Sequence, residues 1–427
     1  MFSSSEPPKS LAGKINIMML WYVGLTLASH VSLAYSQSDG SYNGSDLDAP
    51  MLAGGPRGGQ GAMLRFGCSQ AVIERLDPLV NPAMNPSAHM HQIVGGNAFN
   101  ASMPLEDISQ LATCTTCHFT QDLSNYWTAN LYFKARNGTY KRVPQMANQF
   151  NDGDEGGITI YYTSPGPNAT TAFKPGFRML TGDSTRRTSE NLGKNMQQCY
   201  RCFSEPNFGG SMYSPCFDPK WDTDHLPKQP CPGGIRSNII FPLCWDGKSL
   251  DSPDHREHVA HPIGGPPSFS IVSGTCPESH PVKIPQVMLE VNWDTRDFND
   301  EREWPEDGAQ PFVLSTGDNT GYGQHGDYVF GWQNDSLQLA MDNQCYLRNC
   351  SRLPSQMPPD KNKCSVPVTA PENIDGCELQ IPSMVLHLLL FTSFSFVSFA
   401  LLTSKKGWTC FQENRWGDYS RISLHGT

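Results

Sequence analysis

The chain has 427 residues, a formal net charge of -10 and only 31 lysine and arginine residues, which form no basic run. Binding to a nucleic acid backbone requires clustered cations, so the composition argues against a nucleic acid partner. The 38 glycines and 34 prolines favour short strands and many turns over long helices. The length suits two or three average domains, or one large β-rich domain with additional segments.

The N-terminal segment has the pattern of a secretory signal. Residues 15–34 form an apolar run that follows two lysines and ends in a small-x-small cleavage pattern, Ser-Leu-Ala. We therefore predict a signal peptide over residues 1–34, with an uncleaved membrane anchor as the alternative because the run is long. The small and polar residues 35–63 predict a flexible lead.

The predicted folded region begins near Leu64, where apolar and polar residues alternate as in a strand until Asp77 and the proline after it. His89 and His91 follow, and in an extended segment their side chains point to the same face. Two imidazoles on one face can bind a metal or hold a turn together through hydrogen bonds. An H-x-H pair alone is weak evidence for a metal, because further ligands must come from elsewhere.

Two C-x-x-C motifs begin at Cys114 and Cys199. In the cytosol four such thiolates would indicate zinc, but in a chain with secretory features each cysteine is predicted to be half of a structural disulfide. Thirteen of the 14 cysteines lie between Cys68 and Cys377. At least one of them is therefore expected to be unpaired or to pair between chains, and Cys410 is expected to be free.

The remaining pattern indicates a mainly β protein. Alternating stretches after Asn125 and over residues 286–294 predict strands, and short helices are predicted near Ser252 and Ser336. We predict twisted, largely antiparallel sheets in a disulfide-linked sandwich over residues 64–345. Six N-x-S/T sequons indicate a glycoprotein: Asn43, Asn100, Asn137, Asn168, Asn334 and Asn349.

A polar stretch over residues 241–262 is the strongest indication of a functional site. Ser252 followed by proline is typical of a helix start, and His255 and His258 would then lie three residues apart on one side of the helix. Histidine can transfer protons at ambient pH, and neighbouring carboxylates can orient it. We predict one polar cleft with these candidate catalytic residues: His89, His91, Asp246, Asp251, His255, His258, His325 and Asp327.

Aromatic side chains near these residues are candidates for substrate binding, because an aromatic ring can stack on a sugar ring. The candidates are Trp127, Trp245 and Tyr322.

The C-terminal part predicts a membrane attachment. Residues 346–380 contain cysteines and prolines and predict a cross-linked stalk. Residues 381–402 carry no carboxylate, lysine or arginine, which is the length and composition of a transmembrane helix. Two lysines follow at once, so residues 403–427 are predicted to be a short cytoplasmic tail and the main domain to be extracellular at the cell surface.

The motifs together resemble one family. R-F-G-C-S-Q, H-M-H-Q-I-V-G-G-N-A-F, C-T-T-C, F-K-P-G-F-R-M-L, C-W-D-G-K-S-L-D-S-P-D-H-R-E-H-V and G-Q-H-G-D-Y-V-F-G-W occur in this order between residues 64 and 345. The chain is similar to the secreted, mostly fungal and bacterial family of unknown function that is numbered nineteen-ninety-six. The resemblance implies an extracellular location and links to cell walls and polysaccharides, but no defined reaction.

Three classes of function remain open. The first is an enzyme that acts on cell-wall polysaccharide. The second is a non-catalytic cell-wall binding or structural protein, and the third is a metal-binding protein in which imidazoles hold zinc or copper. The candidate metal ligands are His89, His91, His255, His258 and His325. The sequence identifies neither a cofactor nor a substrate and does not decide whether the protein is an enzyme.

Overall fold

A computed structural model describes residues 61–148, 151, 153–166, 170–190, 197–206, 215–265, 272–378 and 381. The predicted signal peptide, the flexible lead up to residue 60, the cytoplasmic tail with Cys410, and the predicted span beyond Ile381 lie outside these residues. Within the described part of the chain, no helix combines the length and apolar composition that a membrane crossing requires.

Short strands account for most of the regular structure. In chain order they are β1 Met63–Cys68, β2 Gln70–Glu74, β3 His91–Gly95, β4 Asn125–Ala129, β5 Leu131–Lys134, β6 Tyr140–Arg142, β7 Gln145–Met146, β8 Ile158–Thr163, β9 Arg178–Gly182, β10 Gln198–Cys202, β11 Asp222–Thr223, β12 Ile235–Ile240, β13 Cys244–Trp245, β14 Val259–Ala260, β15 Val282–Lys283, β16 Gln286–Trp293, β17 Phe312–Leu314, β18 His325–Val329, β19 Tyr346–Leu347 and β20 Cys377–Glu378.

These strands form four sheets. An eight-stranded sheet has the order β11-β10-β12-β16-β8-β1-β19, with β7 also paired to β16, and a five-stranded sheet has the order β2-β3-β4-β18-β9. The two smaller sheets are β17-β5-β6-β20 and β14-β13-β15. Every strand pair is antiparallel except β1 with β19. The prediction of a mainly β, largely antiparallel fold is confirmed.

The two larger sheets contribute to one hydrophobic core. Apolar side chains of the eight-stranded sheet, such as Phe66 and Leu289, belong to the same buried cluster as Tyr126 and Tyr328 of the five-stranded sheet. The Tyr162 hydroxyl joins the sheets, since it lies 2.6 Å from the Tyr126 hydroxyl and 2.9 Å from the Tyr328 hydroxyl. Buried hydroxyls that are paired in this way avoid the cost of burying an unsatisfied polar group.

The opposite face of the five-stranded sheet is also buried. Ile93, Trp127 and Val329 on that face form a second cluster with Leu76 and Phe99, which come from the segments that cover the sheet. All residues of β3, β4 and β18 are therefore buried. This outer face, with the loops that cover it, carries the candidate site.

Helices are few and short. Helix α1 covers Ser336–Asp342, close to its predicted position, and α2 covers Pro358–Lys361. The helix predicted at Ser252 is absent from the described residues, because the Asp254 side chain accepts hydrogen bonds from the amides of Arg256 and Glu257 and His255 has φ +57°. These features turn the chain sharply instead of continuing it as a helix. Single 3-10 turns cover Ile108–Gln110, Arg296–Phe298 and Glu301–Glu303.

Six disulfides are present among the described residues: Cys68–Cys117, Cys114–Cys364, Cys199–Cys216, Cys202–Cys231, Cys244–Cys276 and Cys345–Cys350. The prediction that the C-x-x-C cysteines are halves of structural disulfides is confirmed, and neither motif closes on itself. Cys377 is disulfide-bonded as well, so the expectation of an unpaired cysteine among the thirteen is wrong.

The segment predicted as a stalk packs against the sheets instead. Val366 is buried in the cluster on the outer face, and the buried Lys361 ammonium donates to the carbonyl of Gly67 at 2.9 Å. Glu372 forms an ion pair with Arg75, with a nitrogen–oxygen distance of 2.6 Å. A stalk would leave these groups in water, so residues 346–378 are part of the folded domain.

Candidate metal centre

His91 and His325 lie in the same row across the five-stranded sheet. His91 pairs with Ala129 on β4, and the register between β4 and β18, continued by two residues, places Ala129 beside His325 as well. The residue opposite His325 on β9 is Gly182. Both neighbours of His325 are therefore small, which leaves room above the sheet for the imidazoles.

The backbones of β9 and β18 approach each other closely at Gly182, which has φ +80°. A Cβ atom there would lie 2.2 Å from the carbonyl oxygen of Gln324 and 2.8 Å from Cα of His325. Such contacts are shorter than any real Cβ makes, so only glycine fits beside His325.

Three histidines meet over this row. His89 Nε2 lies 3.1 Å from His325 Nε2, and His91 Nε2 lies 3.4 Å from the same atom. One ring nitrogen from each of the three residues lies within 4.8 Å of the other two. His91 and His325 are buried and His89 is partly exposed, so the cluster opens toward solvent on the His89 side.

Backbone carbonyls orient two of the rings. His91 Nδ1 donates to the carbonyl of Leu76 at 3.0 Å, and His325 Nδ1 donates to the carbonyl of Gly323 at 3.2 Å. With the proton on Nδ1, Nε2 of each ring carries a lone pair directed at the other histidines. Lone pairs that face one another repel, and a cation between them removes the repulsion. A carbonyl that accepts from the second ring nitrogen is the usual support of a metal-binding histidine.

The surroundings keep these imidazoles neutral. Burial lowers the pKa of His89 and His91 well below the ordinary value, and the other histidines of the cluster lower it further. Burial also lowers the pKa of His325. Neutral imidazole is the form that binds metal ions.

Two carboxylates lie close to the cluster. Asp327 follows His325 by two residues on the same face of β18 and is fully buried, and neither of its carboxylate oxygens has a hydrogen-bond partner among the described residues. Burial, together with the charge of Asp77, raises the pKa of Asp327 well above its usual range. Asp77 is buried too, and its Oδ1 accepts from the amides of Leu79 and Val80. Unpartnered buried carboxyl groups are costly unless a positive charge compensates them.

His255 and His258, which were predicted to join this cleft, make other contacts. His255 Nδ1 lies 2.6 Å from Asp251 Oδ1, and its Nε2 donates to the carbonyl of Leu79 at 3.1 Å. The buried His258 donates from Nε2 to the carbonyl of Arg178 at 2.8 Å. Both rings therefore attach the loop of residues 250–258 to its neighbours instead of pointing at the cluster.

The other predicted site residues lie apart from the three histidines or in the core. Asp246 accepts from the amides of Lys248 and Ser249 and so closes a turn. Trp127 is 0% exposed, and Trp245 is 4% exposed with its indole nitrogen donating to the carbonyl of Ser249. Neither ring has a face free to stack on a sugar. Tyr322 is partly exposed.

Sequence reasoning did not include Asp77, Ala129 and Arg256 in the site. The sequence pattern marks Asp77 only as the end of a strand, and an alanine within a strand carries no chemical signal. The charge of Arg256 acts on both His325 and Asp327. Its position inside the histidine-rich stretch was the only available sign of a role.

These observations define a mainly antiparallel β protein that is cross-linked by disulfides and carries a three-histidine cluster on one face of a sheet. The chain belongs to the family described as a domain of unknown function, DUF1996, whose model matches residues 77–332, or 256 of the 427 residues. The matched range contains all three histidines. No match was found among curated proteins. A comparison with solved structures also found none.

Proposed function

We propose that this chain is a secreted metal-dependent protein in which His89, His91 and His325 bind one zinc or copper ion. The observation that carries the proposal is the convergence of three Nε2 atoms, two of them on rings held by backbone carbonyls. Tetrahedral zinc with Zn–N bonds of about 2.05 Å places its nitrogen ligands roughly 3.3 Å apart. The separations of 3.1 and 3.4 Å are close to that value.

The number of ligands favours a reactive ion over a structural one. Structural zinc sites are closed by four protein ligands, whereas catalytic sites use three and leave a position for water or substrate. Here three neutral imidazoles leave at least one position open on the side of the partly exposed His89. At such a position a bound ion lowers the pKa of water and polarises an oxygen atom of a ligand.

The disulfides bear on where the protein is located. Structural disulfides are consistent with the secretory pathway and with a cell-surface protein. We further propose that residues 1–34 are a signal peptide and that residues 381–402 span the membrane. We also propose that the two larger sheets are arranged as a sandwich. The proposal that the ligand is a cell-wall polysaccharide rests on the family resemblance alone. The buried Trp127 and Trp245 do not support sugar stacking, so polysaccharide recognition would depend on polar groups around the ion.

Metal binding by the full chain tests the proposal directly. The protein is stripped with a chelator, and binding of Zn²⁺ and Cu²⁺ is measured by calorimetry and by elemental analysis after dialysis. We expect one ion per chain, and loss of that ion in His91→Ala and in His325→Ala.

The matched control is His225→Ala, since His225 lies outside the cluster and interacts with Asp224. This variant should keep the ion. Circular dichroism of each variant checks that the sheets persist. The proposal is wrong if the wild-type protein binds neither ion, or if folded His91→Ala and His325→Ala variants bind as wild type does.

A further inference from the structure

The loop that carries Arg256 runs beside the three-histidine cluster. The five-stranded sheet ends at β9, and the free edge of this strand pairs with the loop: the amide of Arg178 donates to the carbonyl of Leu250, and the amide of Leu180 donates to the carbonyl of His255. Leu180 lies opposite Asp327 and Gly182 lies opposite His325. Arg256 is therefore placed next to the two rows that hold Asp327 and His325.

A second contact ties this loop to the other segment around the cluster. His255 Nε2 donates to the carbonyl of Leu79, two residues after Asp77 and ten residues before His89. The loop of residues 250–258 and the segment of residues 77–89 thus frame the histidines together. This connection holds Arg256 in place relative to the cluster.

The Arg256 side chain is exposed, and its guanidinium takes part in no ion pair or side-chain hydrogen bond with the described residues. Other arginines of the fold are paired: Arg75 with Glu372, Arg201 with Asp222 and Arg178 with Asp251. Arg256 is the one lysine or arginine in the loop of residues 250–258. Asp183, which follows Gly182 at the end of β9, accepts hydrogen bonds at Oδ1 from the amide and hydroxyl of Thr185.

We propose that Arg256 recognises a carboxylate on the ligand of the metal ion, so that this ligand is an anionic molecule that carries a carboxylate group. The inference rests on the proposed metal site. A guanidinium presents parallel N–H groups that match the two oxygens of a carboxylate. A ligand oxygen on the ion and a carboxylate on Arg256 give two attachment points, and a neutral sugar has only the first.

Electrostatics favours the same class of ligand. The unpaired Arg256 adds a second cation beside a bound metal ion, and both attract an anionic ligand.

The test compares matched ligands and matched variants of the full chain loaded with zinc. Binding of glucuronate, glucose and inorganic phosphate is measured by calorimetry for wild type, Arg256→Ala, Arg256→Lys and Arg302→Ala. Arg302 is an exposed arginine in another part of the chain and is paired with Asp300, so it serves as the control. Loss of hydrogen bonds to a charged group predicts at least a tenfold weaker affinity of Arg256→Ala for glucuronate, by order of magnitude.

We expect wild type and Arg302→Ala to bind glucuronate more tightly than glucose and phosphate, and Arg256→Lys to recover part of the affinity. Every variant should hold one zinc ion. If all variants hold zinc and Arg256→Ala binds glucuronate as wild type does, the inference is wrong and the metal site stands. Preferential binding of phosphate or glucose also overturns it. Absence of zinc from the wild-type protein overturns the metal site itself.

Discussion

At the scale of single residues, the partner of each ring nitrogen separates the two groups of histidines. His91 and His325 use one nitrogen for a backbone carbonyl and leave Nε2 for the cluster. His255 faces an acceptor at each nitrogen, Asp251 Oδ1 and the carbonyl of Leu79. An imidazole with acceptors on both sides is suited to carrying two protons, so it is a poor metal ligand.

This arrangement makes the attachment of the loop that carries His255 dependent on pH. The hydrogen bond that His255 donates to the Asp251 carboxylate raises the pKa of His255 above its ordinary value. The resulting stabilisation is fully present below the unfolded-state value of about 6.5 and is lost as the pH rises through the folded-state pKa. We expect the melting temperature of wild type to fall more between pH 6 and pH 8 than that of His255→Gln. His225→Gln, at a partly exposed histidine outside this loop, should behave as wild type, and equal slopes for all three proteins would contradict this role.

From Asp122 we expect a second pH dependence of the stability, over a different pH range. It is fully buried, its Oδ2 accepts from the Tyr126 hydroxyl at 2.9 Å, and burial raises its pKa from 3.8 to about 7. The folded state therefore holds a proton that the unfolded state releases, and folding becomes less favourable as the pH rises from about 4 to 7. At 1.36 kcal/mol per pKa unit, the loss is of the order of 4 kcal/mol.

Urea unfolding of Asp122→Asn at pH 4 to 8 measures this effect. An amide has the shape of the protonated carboxyl group, so the variant should lose that part of the pH dependence and gain stability relative to wild type at pH 8. Asp360→Asn, at an exposed carboxylate, should retain the wild-type profile. A profile of Asp122→Asn that runs parallel to wild type would show that Asp122 ionises normally in the folded protein.

At the scale of secondary structure, the register of three strands creates the candidate site. Strand β4 separates β3 from β18, and its residue in the histidine row is the fully buried Ala129. A larger side chain at this position would fill the space in which the imidazoles of His91 and His325 approach each other. The row of side chains on one face of a sheet is thus as important to the cluster as the histidines themselves.

Substitution Ala129→Leu tests this idea. Overpacking of a buried site typically costs about 1–3 kcal/mol of stability, and here it should also separate the imidazoles. We expect zinc affinity to fall at least tenfold, as an order-of-magnitude estimate from the cost of disturbing the support of a metal ligand. Ala340→Leu on α1 is the control, because Ala340 is equally buried but lies on a helix outside the five-stranded sheet that carries the histidines. It should lose stability and keep zinc affinity, and unchanged zinc binding in folded Ala129→Leu would refute the argument from register.

At the scale of the whole molecule, disulfides hold distant parts of the chain against the sheets. Cys114–Cys364 closes a sequence separation of 250 residues, whereas Cys345–Cys350 closes a separation of 5 residues. A cross-link stabilises mainly by restricting the unfolded chain, and the restriction grows with the length of the closed loop. The expected contributions are about 5 kcal/mol for the long link and about 2 kcal/mol for the short one.

Paired alanine substitutions compare the two links. We expect the melting temperature to fall further in Cys114→Ala/Cys364→Ala than in Cys345→Ala/Cys350→Ala, measured by circular dichroism under non-reducing conditions. The long link also fixes the segment that covers the outer face through Val366. Removing it should therefore weaken zinc binding as well as stability. A larger loss of stability from removing the short link would contradict the chain-entropy argument.

The sequence by itself determined the local features of this protein. Alternation of apolar and polar residues located β1 and β16, because the two-residue period of a strand is visible directly in the order of residues. The C-x-x-C motifs in a secretory context predicted disulfides, because the oxidising compartment decides the chemistry of cysteine. The spacing of His89 and His91 placed both rings on one side, because that relation needs only the geometry of an extended segment.

Only the tertiary structure decided which of these features meet. His325 lies 234 residues after His91, and no local pattern reveals that β4 places them in one row across Ala129. Trp127 resembled a stacking residue because the sequence does not show that segments far along the chain bury both faces of its sheet. His255 has the residue type of a ligand, but in the fold its two ring nitrogens face Asp251 and the carbonyl of Leu79. The type of each residue limits what it can bind, and the long-range pairing of strands and loops determines what it reaches.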